Sequence, residues 1–151
     1  MMALSAEARR QRLLRQFFRS GHEGQWTRSF EDLPQDVRSK LLTMAAVGAH
    51  ELPILSYFRD AEHWVLLTTE RLITWRSERV LRLAWQEIES ATVDDTYVRE
   101  QVSSNPAGKL GLERLKLLLR GGESVELELE AGKAFFGFWN VLKTVAALRK
   151  D

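Results

Sequence analysis

The alternation of apolar and polar positions divides the chain into helix-period stretches at its two ends and a long middle with the period of strands. Between Trp64 and Trp85, three apolar runs, 64–68, 72–75 and 80–85, are separated by polar breaks of turn length. This predicts a small antiparallel meander. Extended along the chain, the same spacing predicts seven strands, at 52–58, 63–68, 71–76, 80–85, 88–94, 112–119 and 124–130. One connection is long: 95–111 carries Ser103, Ser104, Asn105, Pro106 and Gly108 and is expected to be a flexible excursion. Adjacent Asp94 and Asp95 face opposite sides of a strand, so they read as its polar terminus rather than as an acid/base pair.

The final hairpin alternates cleanly. Leu115, Leu117 and Leu119 share a parity with Val125, Leu127 and Leu129, and Arg114 and Lys116 take the other parity with Glu126, Glu128 and Glu130. A two-residue turn would set carboxylates beside the core, so the register requires an odd loop, expected to be Gly121-Gly122-Glu123. That loop predicts Leu117 opposite Leu127 and Lys116 opposite Glu128.

Helical spacing governs the ends. In 3–19, Leu13, Leu14, Phe17 and Phe18 recur on one side and Ser5 is placed to cap the start. Residues 20–28, with Gly21 and Gly24, read as a linker or a loop in which Trp26 is the one anchor. A second helix is expected from Asp32, which would cap it, with Pro34 in the first turn, Gln35 reaching back, and Gly48 as the stop. In 131–150, Phe135, Phe138, Trp139, Leu142, Val145 and Ala146 form an apolar face from which Asn140, Lys143 and Thr144 fall away. Phe136 lies at the edge of that face and is expected to be partly exposed.

Composition narrows the function classes. A chain of 151 residues with 44% hydrophobic residues holds one domain of ordinary core size with room for an extension. The expected division is a helical extension over 1–50 and a sheet-rich domain over 51–151. Twenty-two basic residues against 21 acidic ones leave a formal charge of +1, so no whole-chain field attracts nucleic acid or an anionic membrane. The charge is unevenly placed. Arg9, Arg10, Arg12, Arg15 and Arg19 against Glu7 give the first helix +4 and leave −3 for the rest. There are no cysteines, which removes disulfides, thiolate metal sites and cysteine nucleophiles. Without a long apolar stretch or an apolar leader pattern, the expectation is a soluble cytoplasmic protein.

Catalytic motifs are missing from the sequence. His50-Glu51 is not followed by a second His at metalloprotease spacing, and there is no Gly-x-Ser-x-Gly elbow and no phosphate-binding Gly-x-x-x-x-Gly-Lys loop. His22, His50 and His63 fall in separate segments, so no metal or cofactor is expected. Arg71, Arg76, Arg79 and Arg82 alternate with acids, which disfavours a nucleic-acid surface.

Seven antiparallel strands and a C-terminal amphipathic helix, with Thr-Thr-Glu-Arg-Leu-Ile at 68–73 and Ala-Trp-Gln-Glu-Ile-Glu at 84–89, resemble the pleckstrin-homology superfold in its short bacterial form. The resemblance covers about residues 52–149. It implies an α+β, mainly β architecture: a partly open barrel or sandwich capped by the last helix. It also implies an anion pocket at the open end, to which Arg59, His63, Arg76 and Arg79 would converge. Asp60, Glu62, Glu78 and Glu123 would stand among them, so the field there is expected to be near neutral and poor for inositide phosphates. The expected function is a non-catalytic protein-binding module using Arg9, Arg12, Arg15, Arg19 and Phe136. A toxin-neutralising protein and a peripheral membrane adaptor are the alternatives, and exposed strand edges offer a route to self-association.

Overall fold

The computed structural model describes residues 5–148. Ala3 and Leu4, expected in the first helix, and Arg149 and Lys150, expected in the last, lie outside the described residues. The chain forms helix α1 (Ala6–Ser20), strand β1 (Thr27–Ser29), helix α2 (Gln35–Ala45) and the meander β2 (Pro53–Asp60), β3 (His63–Thr68), β4 (Arg71–Arg76) and β5 (Arg79–Ala84). Strand β6 (Ile88–Thr92), helix α3 (Asp95–Ser104), strands β7 (Arg114–Leu119) and β8 (Ser124–Glu128), and helix α4 (Lys133–Leu148) follow. The α+β class is as expected, but the strands number eight rather than seven among the described residues; they form two antiparallel sheets, ordered β1-β2-β3-β4-β5 and β6-β7-β8, and do not close into a barrel.

The central strands β2, β3 and β4 of the first sheet are buried on both faces, which is why they hold runs of apolar residues rather than alternations. On β3, Trp64 and Leu66 face a cluster with Phe30, Leu41 and Ile73 beneath α2. The alternating Val65 and Leu67 face the larger core, shared with Leu115 and Leu127 of the second sheet and Phe135 and Phe138 of α4. Leu13 and Phe17 of α1 enter that same core and are completely buried.

Four expectations are corrected. First, 20–28 is not wholly a linker, because the Glu130 carboxylate accepts from the backbone N–H groups of Gln25, Trp26 and Thr27 at 2.7, 2.9 and 2.8 Å. That grip aligns β1 against β2, with Arg28 opposite Ser56. Second, α2 starts at Gln35 and has no side-chain cap. Asp32 instead ends a short 3-10 turn and lies beside Glu23. The helix stops at Ala46, in the left-handed conformation at φ 53°, before Gly48 is reached. The Arg71 guanidinium binds the Ala46 carbonyl at 3.1 Å and Glu51 takes the Gly48 N–H at 2.7 Å, so the sheet ends the helix.

Third, the last hairpin keeps the expected parity but slips by two residues: Leu115 faces Leu127, Lys116 faces Glu126, and Arg114 faces Glu128. Its loop is Arg120-Gly121-Gly122, closed by Leu119 N–H to the Glu123 carbonyl at 2.8 Å. A three-residue hairpin loop needs its last residue in the left-handed region. Gly122 occupies it at φ 92°, where the expected loop would have placed Glu123. Fourth, the 95–111 excursion is structured: Asp94 caps α3 by accepting from the Tyr97 N–H at 3.1 Å, and a 3-10 turn follows at Gly108–Gly111. Helix α3 contains no fully buried residue, so no apolar stripe announced it.

Candidate functional site

Helix α1 is placed by two glycines. A Cβ at Gly21 would lie 2.3 Å from the Lys133 carbonyl oxygen, and one at Gly137 would lie 2.8 Å from the Phe17 ring. Only residues without Cβ permit this approach of backbone to backbone. The contacts pair the C-terminal end of α1 with the N-terminal end of α4, so the helices run antiparallel, and a groove forms along their outer seam.

Five arginines on α1 then meet two fates. Arg9 donates to the Thr69 carbonyl at 2.9 Å and to the Glu70 carboxylate at 3.0 Å, and its guanidinium lies 5.6 Å from the Trp85 ring centroid. Arg10 binds Glu7 at 2.8 Å and approaches Glu31 at 3.8 Å. Arg12, Arg15 and Arg19 are exposed, and none forms an ion pair among the described residues. With Gln16 and Thr144 they line a cleft of about 350 Å³ that has no carboxylate in its lining among the described residues. Thr144 donates to the Asn140 carbonyl at 3.0 Å, and the Asn140 amide donates to the Phe136 carbonyl at 2.8 Å. Phe136, Asn140 and Thr144 thus form one row along α4, at the spacing that stacks side chains on one helix face. Phe136 is half-buried, its ring 5.6 Å from that of Phe135 and 6.2 Å from that of Trp139. Of the expected partner-binding set, the structure brings Arg12, Arg15 and Arg19 together, sets Phe136 on the row that leads into their cleft, and removes Arg9 into the fold.

Of the residues expected at an anion pocket, the structure brings His63 and Arg76 to one cleft. Arg59 stacks on the Trp26 ring at 4.9 Å, and Arg76 donates to the Glu126 carbonyl of β8. His63 Nδ1 lies 2.7 Å from the Asp60 carboxylate, and that contact holds the Asp60 carboxyl below its ordinary range. Arg79, exposed, faces Arg76 across the β4–β5 turn. The cleft at this end, about 180 Å³, is lined by Glu62, Glu126 and Glu128 against His63 and Arg76, with Tyr57 as one wall. The Tyr57 hydroxyl donates to Glu128 at 3.5 Å, and burial followed by the Glu128 charge pushes its pKa up to about 12. The opening is acidic because Glu126 and Glu128, which share one face of β8, line it together with Glu62.

Gln16 and Thr144 were not identifiable as site residues from sequence. Helical periodicity set Thr144 off the core face, but only the docking of α1 shows what it faces. Among the described residues no cluster of three or more His, Asp or Glu side chains is arranged to hold a metal ion, and no helix is long and apolar enough to cross a membrane. No protein-family model matches the chain, and no curated protein or solved structure is significantly similar to it.

Proposed function

We propose that this chain is a non-catalytic binding module that recognises an acidic surface on a protein partner through the outer face of α1. One observation carries this reading: three guanidinium groups line a single cleft with no carboxylate in its lining among the described residues, while the neighbouring Arg9 and Arg10 are ion-paired within the fold. Charged groups that a fold leaves unpaired on one side of a rigid element are the residues that steer and orient a partner of opposite charge. The four-stranded run β2–β5, the three-stranded β6–β8 and the closing helix α4 support a pleckstrin-homology-like scaffold for this surface, with α1 and α2 as its helical extension.

The test is affinity capture from native extract with the wild-type chain and with the triple variant Arg12→Glu, Arg15→Glu, Arg19→Glu, after both show the same melting temperature. A protein retained by the wild type and lost by the variant is the expected result. Retention of the same protein by both chains would move the binding surface away from α1.

A further inference from the structure

We infer that the partner element seated on this surface is an acidic α-helix lying along the α1–α4 seam, an inference that rests on the acidic-partner reading above. Three features of the seam select a helix. At 100° per residue, Arg12, Gln16 and Arg19 fall within about 60° of one another on the side of α1 that borders Thr144. Arg12 and Arg19 are seven residues, hence two helical turns or about 10 Å, apart along the axis. Carboxylates at i, i+4 and i+7 of a third helix have the same rise and lie on one face, so they meet this row in register.

The second feature is the chemistry of the walls. Both sides of the seam are helices, so the backbone groups along them are committed to intrahelical bonds, and the cleft presents guanidinium groups, an amide and a hydroxyl. An extended peptide placed there would leave its own backbone N–H and C=O groups without ladder partners, whereas a helix satisfies them internally. The third is direction. Phe18, 49% exposed, is the large apolar side chain a membrane would take from α1, but it projects about 100° or more away from the Arg12–Gln16–Arg19 row. A flat bilayer that received Phe18 would leave that row turned toward the seam. The half-buried Phe136, on the Thr144 row, is the apolar contact available to a helix in the groove.

The experiment titrates the full chain with a labelled Ala-based peptide of about 20 residues, long enough to be helical alone, carrying Glu at i, i+4 and i+7 beside one Leu. A second peptide has the same composition with the glutamates dispersed around the helix. Fluorescence anisotropy is expected to give binding about ten-fold tighter for the patterned peptide. That preference should weaken with added salt, be lost in Arg12→Gln/Arg19→Gln, and persist in Phe18→Ala. Equal affinity for the two peptides would overturn the helical register and leave the acidic-partner reading standing. Binding of neither peptide, with Phe18-dependent binding to phosphatidylserine vesicles, would overturn both in favour of a membrane surface. Binding of neither peptides nor vesicles would also overturn both.

Discussion

Two groups of basic residues look equivalent in the sequence and behave oppositely in the fold. Arg59, His63, Arg76 and Arg79 cluster around hairpin turns at the open end of the sheets, and each of the first three finds an internal acceptor: an indole face, a carboxylate and a strand carbonyl. Arg12, Arg15 and Arg19 find none among the described residues, because the helix that carries them docks by its opposite face. The difference teaches that a basic residue is available to a partner only where the packing of its own element leaves no acceptor in reach. Arg9 makes the same point within one helix, since one turn before Arg12 it is bound to Thr69, Glu70 and Trp85.

The most severe way to break the contrast is to undock α1. Phe17→Ala removes a fully buried ring that packs on Gly137 and should cost roughly 3–5 kcal/mol in chemical denaturation. It should also scatter the Arg12–Arg19 row while leaving the contacts at the open end of the sheets in place.

Next comes the most fully committed cation. Arg71 bonds to Glu51, which is only 7% exposed, and Glu51→Ala should destabilise the chain by about 3 kcal/mol by leaving that guanidinium without its partner. The pH dependence has a definite sign. Burial by itself would raise the Glu51 pKa, but hydrogen bonds from Arg71, the Gly48 N–H and Thr68 together hold it below the ordinary value. The folded pKa is therefore the lower one, and the stabilisation is present above the unfolded pKa and lost as pH falls through the folded value. The gap between wild type and Glu51→Gln should close on acidification, read as the difference in Tm across pH.

Arg9→Ala should cost about 1–2 kcal/mol, the sum of a charge-assisted pair and a cation–π contact, against a negligible change for Arg15→Ala measured in the same way. Equal costs would erase the distinction between committed and free arginines.

Glu23 reverses the sign seen at Glu51. Burial first, then the neighbouring Asp32 carboxylate, raise its pKa, so its ionisation opposes folding as pH rises through the folded value. Glu23→Gln should raise Tm at about pH 8 and change little near pH 3, where both states are protonated. The Ser29 N–H that Glu23 accepts at 3.0 Å can be kept by the Gln carbonyl.

The smallest effect on stability belongs to the candidate site itself. Arg12→Gln and Arg19→Gln should each shift unfolding free energy by less than about 0.5 kcal/mol, because neither side chain has an ion pair to lose among the described residues. A large loss would mean that the groove serves the fold rather than a partner.

Much of the scaffold was legible from local pattern. The meander from His63 to Ala84 and the α4 core face follow from runs and periods of apolar residues that have one economical burial. The hairpin parity followed too, because a slip by one residue would bury Glu126 and Glu128; the slip by two was invisible, since it moves no side chain to the other face and is selected by the left-handed position that Gly122 fills. The short strand β1 and the end of α2 left no local signal, for they are made by Glu130 and Arg71, more than twenty residues away in sequence. The site was half legible: Arg12, Arg15 and Arg19 stood out by charge, but Arg9 looked the same, and nothing in the order of residues distinguished it.

The sequence by itself determined which residues are apolar enough to form the core, the alternation that assigns each strand its faces, and an excess of positive charge on α1, because all three are properties of residue type and near-neighbour spacing. The tertiary structure decided which charges cancel. Ion pairs and cation–π contacts depend on distances of a few ångströms between elements remote in the chain, and here it was the close packing at Gly21 and Gly137 that turned three arginines outward into a shared groove.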